Sequence, residues 1–354
     1  MSRSRTPSLT PRIGRRAAVV GTLSLACGGR AAAPVAKPPA PVPARYSGKL
    51  EDYVPAAGLR WLVRGSPAKL AESQSFRPAL DQLLSAERLR AVARTAGFAL
   101  DTLPHGLIAD FTLGTLYLAE LPSKSAKEAR ERFAARQIHD ATRRSPEPGI
   151  EVLSGVSDGV PVGLVTLDDR VVAFGVGDPM LYRVVEGYAR GRLKAKKAFE
   201  GAALQGLDEE TSGALIAAYV PGPFDERFQN AAAGLLAITT AISAKLTATH
   251  PNQATLELSL HGDFADSSAG ERLKSAYMSV ASSSTGTLLG LGNALEARTL
   301  LSPENDVVTL QVPLPITDIA RHAHAVTSGD LGEILRLSPS SSGIATPTSA
   351  PITR

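Results

Sequence analysis

The chain has 354 residues, a single cysteine and a formal net charge of +4 at neutral pH. One cysteine excludes internal disulfides and a zinc site built from several thiolates. Five arginines and no acid precede residue 27, so the rest of the chain is close to neutral and lacks the electrostatic footprint of a nucleic-acid-binding protein. These arginines are Arg3, Arg5, Arg12, Arg15 and Arg16.

Residues 12–27 combine the features of an export signal. A basic start is followed by an apolar run from Ala17 to Ala26 and then by Cys27. This run is too short to cross about 30 Å of hydrocarbon as a helix, and a basic segment before a short apolar core is typical of a signal peptide. We therefore predict that residues 1–26 are removed during export.

The end of this region, Ser24-Leu25-Ala26-Cys27, resembles the lipobox of bacterial lipoproteins. The resemblance implies cleavage before Cys27, attachment of a diacylglyceryl group to its sulfur, and the membrane as a partner through that anchor. Gly28 and Gly29 lack the Asp that holds such lipoproteins in the inner membrane, which implies the outer membrane, with the domain facing the periplasm or the outside. The alternative is ordinary secretion with cleavage near Ala31, in which case Cys27 has no role.

A tether is predicted between the anchor and the folded part. Residues 27–58 are rich in alanine and proline, and repeated proline favours extended chain without amide donors. We expect a disordered, semi-stiff segment here and a disordered tail over residues 337–354, which are rich in serine, threonine and proline.

The first half of the folded part, residues 59–200, alternates between strand and helix patterns. Gly114 separates two apolar runs as the turn of a hairpin would, and Asp178-Pro179 opens a helix with a capping Asp and a proline in the first turn. The clearest amphipathic helix is predicted over residues 123–144. Residues 67–97 have helical spacing that is broken at Pro78 and near Ser85. The other predicted helices are 123–144 and 179–188, and the predicted strands are 59–63, 106–112, 115–121, 150–155, 161–167 and 170–176.

The second half, residues 201–336, contains the cleanest strand pattern of the chain, at residues 255–264. Leucines at 256, 258 and 260 alternate with Glu257, Ser259 and His261, which predicts an antiparallel strand with one wet face. Residues 225–245 are ambiguous, helical at first and strand-like later. The other predicted strands are 213–220, 297–301 and 307–312, and the predicted helices are 266–282, 288–298 and 315–325.

These patterns predict an α+β fold in which helices pack on one face of antiparallel sheets. Residues 106–190 and 254–325 share a loose order of hairpin, helix, strands and a helix that starts at a proline. The two halves are therefore interpreted as possible copies of one β-β-α-β-β-α unit.

The histidines give little support for a metal site. They are His105, His139, His250, His261, His322 and His324. Only His322 and His324 are close in sequence, and the apolar spacing around them favours a helix, on which they would point about 200° apart. We predict no metal site.

The sequence also lacks a recognisable catalytic or cofactor motif. Ser66-Pro67-Ala68-Lys69 has the S-x-x-K spacing of penicillin-binding enzymes, but the companion S-D-N and K-T-G motifs are absent, and Ser66 before Pro67 is better explained as a helix cap. No P-loop or dinucleotide fingerprint is present, so no cofactor and no enzymatic activity are predicted.

The function predicted from sequence is therefore a non-catalytic cell-envelope lipoprotein. It would be anchored through Cys27 and would present an α+β domain that binds a protein partner or serves assembly. One alternative is a carrier of a small apolar ligand or lipid, held in a groove between helices and sheet. Another is an envelope hydrolase, which would need histidines and carboxylates to converge in a cleft.

Overall fold

The computed structural model describes residues 45–46, 48–74, 76–77, 80–81, 84–122, 125–135, 138–229, 232–250, 252–266, 268–283, 291 and 297–317. Within these residues the strands form one twelve-stranded sheet, and each neighbouring pair is antiparallel. The predicted α+β class with antiparallel strands is confirmed. No helix among the described residues is long and apolar enough to cross a membrane.

The elements follow in chain order. The strands are β1 (Leu59–Gly65), β2 (His105–Phe111), β3 (Gly114–Glu120), β4 (His139–Glu147), β5 (Ile150–Ser157), β6 (Val160–Leu167), β7 (Val171–Gly177), β8 (Ile216–Pro221), β9 (Thr239–His250), β10 (Gln253–Gly262), β11 (Arg298–Leu301) and β12 (Val307–Pro315). The α-helices are α1 (Pro67–Glu72), α2 (Ala86–Ala96), α3 (Ser125–Ala134), α4 (Met180–Ala189), α5 (Leu207–Glu210), α6 (Glu226–Gln229) and α7 (Ala269–Ala281). Short 3-10 helices occupy Leu50–Tyr53, Leu100–Thr102, Ala198–Glu200 and Ala232–Ala237.

The strand order is β11-β12-β10-β9-β8-β1-β2-β3-β7-β6-β5-β4, with β1 and β8 paired at the junction of the two halves. Moving outward from this pair, each half continues with a hairpin, β2–β3 or β9–β10. Each half then follows its hairpin with a helix, α3 or α7, before its outer strands. The two halves share this order of hairpin and helix, but among the described residues the first contains seven strands, β1 to β7, and the second contains five, β8 to β12. That they are related units stays a prediction.

The helices cover both faces of the sheet, not one as predicted. We call face A the side that carries Val63, Ile108 and Phe174, and face B the side that carries Leu62 and Leu107. Helix α3 packs on face A, and α4 packs on face B. The reason lies in β3, β6 and β7, which are nearly continuous apolar runs, and such strands are stable only when both of their faces are buried.

The predicted helix over residues 123–144 is wrong in its second part. Helix α3 ends at Ala134, and residues 139–147 form β4 at the edge of the sheet, paired with β5 across the turn at Gly149. The segment H-D-A-T-R-R lacks the apolar stripe that a packed helix needs, and its side chains are exposed. Its charged residues suit an edge strand, where they discourage pairing with a further chain.

The polar side chains of β10 are only partly exposed to solvent. On face B, Lys245 pairs with Glu257 at 2.6 Å and Ser259 contacts the Thr309 hydroxyl at 2.9 Å. However, Ser259 and His261 are buried. Polar side chains on β9, β10 and β12 contact one another and supply the hydrogen bonds that these buried groups need.

Several predicted elements lie outside the described residues. They include the signal peptide and Cys27, most of the tether, most of the helices at 288–298 and 315–325, and the tail over residues 337–354. The described end of the tether is not disordered as predicted, because the apolar side chains of Leu50, Tyr53 and Val54 are buried in the core. The ambiguous segment 225–245 resolves into α6, a 3-10 helix and the start of β9.

Candidate functional site

The candidate site is an apolar cleft on face A of the first half. Its floor is a row of side chains that lie directly opposite one another on five adjacent strands: Val63 on β1, Ile108 on β2, Tyr117 on β3, Phe174 on β7 and Leu164 on β6. Leu164 is buried, but the other four are only half-buried. A row of large side chains on one face of adjacent strands would normally be fully covered, so the partial exposure marks a gap in the helical layer.

The roof of the cleft comes from the segment that joins α2 to β2 and from α3. Phe98, Leu100 and Leu103 contribute the first part, and Ala129 and Phe133 contribute the second. The Phe133 ring lies edge-on to Phe174, with 5.6 Å between ring centroids and 73° between planes. This geometry is favourable for aromatic pairs and fixes the roof to the floor.

The cleft encloses about 350 Å³, which lies in the range of small-molecule sites in proteins. Among the described residues that line it, Arg64 carries the only charge. Its guanidinium is engaged elsewhere, donating to Glu51 at 2.8 Å, to the Asp208 carbonyl at 2.9 Å and to the Thr211 hydroxyl at 2.9 Å. The lining is therefore mainly apolar and suits an apolar molecule, with the Tyr117 hydroxyl as the polar group of the floor.

A buried carboxylate organises the opposite face. Glu120 on β3 accepts hydrogen bonds from the Tyr46 hydroxyl at 3.2 Å and from Arg170 at 2.7 Å, and it contacts Nδ1 of His105 at 2.9 Å. Burial acts to raise the Glu120 pKa, but the contacts with His105 and Tyr46 and the charge of Arg170 bring it below its usual value. The charge is thus held ionised and fully paired, as in a structural cluster.

This cluster also fixes the point where the chain joins the domain. The Tyr46 amide donates to Asp168 at 2.9 Å, and Arg45 forms an ion pair with Glu147 at 3.0 Å. Because Tyr46 packs against the core on face B, this attachment lies on the side of the sheet opposite the cleft. Residues 45–46 therefore leave the cleft uncovered.

His261 is the histidine nearest to a catalytic arrangement among the described ones. The Ser243 hydroxyl lies 2.9 Å from its Nε2, and Glu210 lies 3.9 Å from the same nitrogen. A relay that activates serine needs the carboxylate on the other ring nitrogen, and both Ser243 and His261 are buried. Burial lowers the His261 pKa, which favours the neutral ring. The geometry does not favour hydrolysis at this position.

The other residues singled out in the sequence are placed as follows. Ser66 precedes α1 at the capping position and Pro67 follows it, but the Ser66 side chain makes no capping hydrogen bond. Cys27, His322 and His324 lie outside the described residues. Among the residues that are described, no group of three or more His, Cys, Asp and Glu side chains is arranged to hold a metal ion.

Sequence reasoning did not identify the cleft residues. The alternation of β2 and β3 indicates which residues share a face, but not whether a helix covers them. The missing information is how far α2 and α3 extend over the sheet, and this depends on contacts between segments distant in sequence.

Comparisons with known proteins return limited similarity. No protein-family model matches the chain, and no curated protein matches it. Among solved structures, crystal form III of TP0453 has 11% sequence identity and a TM-score of 0.45, with 77% of this chain and 97% of that chain covered. Crystal form I of TP0453 has 9% identity and a TM-score of 0.42 over the same shares of the two chains. A GTP binding regulator from Thermotoga maritima has 14% identity and a TM-score of 0.20, with 26% of this chain and 67% of that chain covered.

Proposed function

We propose that this chain is a non-catalytic cell-envelope lipoprotein whose domain binds a small apolar ligand in the cleft on face A. The cleft is the observation that carries the proposal. Its floor of Val63, Ile108, Tyr117 and Phe174 is half-buried, its roof is apolar, and its volume of about 350 Å³ suits a small molecule better than a protein segment. The cleft thus supports the carriage of a small ligand over the binding of a protein partner or a role in assembly.

The anchor forms the second part of the proposal. The lipobox-like sequence ending at Cys27 supports lipidation, and the absence of Asp after it supports the outer membrane.

Ligand binding is tested with N-phenyl-naphthylamine, a neutral dye whose fluorescence rises in apolar surroundings. We expect saturable binding to the full chain and a loss of at least about tenfold in affinity for Gly106→Leu. Gly106 lines the end of the cleft, and a Cβ built on it meets nothing closer than the Pro67 Cγ at 3.9 Å, so the new side chain would occupy the cavity.

The matched control is Ser275→Leu, which adds the same side chain to an exposed position of α7 in the other half. It should bind the dye as the unmodified chain does. Equal binding by Gly106→Leu in a folded protein, or no saturable binding at all, would refute the cleft as the site.

The anchor is tested by labelling with a radioactive fatty acid in a bacterial host. We expect label and membrane association in the unmodified protein and the loss of both in Cys27→Ser. A protein that takes up no label and stays in the soluble fraction would show that Cys27 is incidental, without affecting the cleft.

A further inference from the structure

A second, polar pocket adjoins the end of the apolar cleft. It encloses about 330 Å³, and four residues border both cavities: Arg64, Gly65, Gly106 and Leu107. Gly65 and Gly106 are paired across β1 and β2, so no side chain on face A separates the cleft from the strand ends at this point. A molecule in the cleft would thus have its end near the polar pocket.

Most charges of the polar pocket are already paired. Arg64 binds Glu51 at 2.8 Å, Lys49 binds Asp208 at 3.4 Å, and His105 contacts Glu120 at 2.9 Å. These groups fix one another in place. The pairing already offsets much of the charge of these groups, so a ligand that bound them would compete with the existing partners.

Three side-chain donors in the pocket have no partner among the described residues. Two of them, Ser66 and Lys69, lie beside the apolar cleft, and the third, Ser212, is exposed. The Ser66 hydroxyl is buried, at 6% exposure, yet makes no hydrogen bond, although its backbone amide donates to the Leu215 carbonyl at 3.1 Å. A buried hydroxyl without a protein partner is costly, so Ser66 would favour a ligand that brings a hydrogen-bond acceptor. Lys69 on α1 is exposed and makes no ion pair with a described residue. The acidic residue Glu209 of α5 also lines the pocket, is exposed and makes no ion pair with a described residue.

The position of Ser66 and Lys69 relates them to the cleft. Ser66 lies between Gly65 and Pro67, and both of these neighbours line the apolar cavity. Lys69 follows two residues after Pro67 on α1. Ser66 and Lys69 therefore offer one hydroxyl and one ammonium next to the cleft, a combination that suits a small anionic acceptor.

We propose that the ligand is a single-chain amphiphile whose carboxylate head binds Ser66 and Lys69 while its acyl tail lies in the cleft. This inference rests on the proposed function. The cavity of about 350 Å³ is near the lower limit of ligand pockets, which favours one acyl chain over a two-chain lipid. The hydroxyl donates one hydrogen bond to the carboxylate, and the ammonium supplies the opposite charge.

The test compares a fatty acid with its methyl ester, which has the same tail but no charge. Each is measured by displacement of N-phenyl-naphthylamine from the full chain. We expect the acid to bind more tightly than the ester. Lys69→Met should weaken binding of the acid by about threefold to tenfold, since the ammonium is exposed, and leave the ester unchanged.

Ser66→Ala should likewise weaken binding of the acid but not of the ester. This substitution removes the hydroxyl and changes the volume of the site little. Lys274→Met, the same change on α7 in the other half, is the matched control and should alter neither ligand. Thermal unfolding of each variant confirms that it is folded.

The outcomes separate this inference from the proposed function. If the acid and the ester bind with equal affinity, or if Lys69→Met and Ser66→Ala weaken both ligands equally, the carboxylate site is refuted. The cleft would still be supported as the binding site of the tail. If neither ligand displaces the dye, or if the dye does not bind, the proposed function fails as well. A preference for the acid that Lys69→Met and Ser66→Ala both abolish would support the carboxylate site.

Discussion

Gly106 on β2 lies directly opposite Gly65 on β1, at the point where the apolar cleft meets the polar pocket. The two glycines differ in the space around them. A Cβ on Gly106 would meet only the Pro67 Cγ at 3.9 Å, whereas one on Gly65 would lie 3.2 Å from the Leu215 carbonyl oxygen. Neither has a positive φ, so the space, and not backbone strain, distinguishes them.

This difference predicts that the same substitution affects stability differently at the two positions. Gly106→Ala should stabilise the protein by about 0.4–1 kcal/mol, because it reduces the conformational entropy of the unfolded chain without a clash. Gly65→Ala should be less stable than Gly106→Ala, since the Leu215 carbonyl must move. Urea unfolding of both variants measures this, and equal stability would contradict the described packing.

Removal of the Phe133 ring should destabilise the roof of the cleft. Phe133 is 3% exposed and packs edge-on against Phe174, so Phe133→Ala should cost about 3–5 kcal/mol in the free energy of unfolding. The control is Leu113→Ala, a residue 57% exposed at the β2–β3 turn, which should change stability by less than about 0.5 kcal/mol. Similar losses for both variants would show that α3 does not pack as described.

The Glu120 cluster predicts a pH dependence. The Glu120 pKa in the folded protein lies below its ordinary value, so the unfolded chain binds the proton more readily. The stabilisation is complete above the unfolded pKa and is lost as the pH falls through the folded pKa. Glu120→Gln should cost about 1–3 kcal/mol at neutral pH, and the difference from the unmodified protein should shrink at acid pH.

Urea unfolding at several pH values measures the Glu120 effect. The control is Glu128→Gln, which breaks only an exposed pair with Arg132 at 3.5 Å on α3 and should have little effect at any pH. A Glu120→Gln difference that stays constant down to acid pH would contradict the role assigned to the charge.

His261 predicts a second pH dependence at a higher pH. Burial lowers its pKa below 6.5, so the unfolded chain takes up a proton that the folded protein resists. Stability should therefore fall as the pH drops below about 6.5, by at most about 1.4 kcal/mol per pH unit from this residue. His261→Gln should flatten this part of the stability profile, whereas His139→Gln, at an exposed position of β4, should leave it unchanged.

The sequence by itself determined the local elements and the fold class. Three local patterns depend only on neighbouring residues and match the structure. The alternation at 255–264 corresponds to β10, the turn before Gly114 to the β2–β3 hairpin, and Asp178-Pro179 to the start of α4. The near-neutral charge after residue 26 is likewise a property of the sequence alone, and the export signal remains a prediction from it.

The tertiary structure decided the features that depend on distant segments. Residues 139–147 became a strand because β5 provides a pairing partner, and helices cover both faces because β3, β6 and β7 expose apolar side chains on each. The cleft exists because Val63, Ile108 and Phe174, far apart in sequence, align in one row that α2 and α3 cover only in part. Strand register and the reach of packed helices set such a site, and neither is encoded in a local pattern.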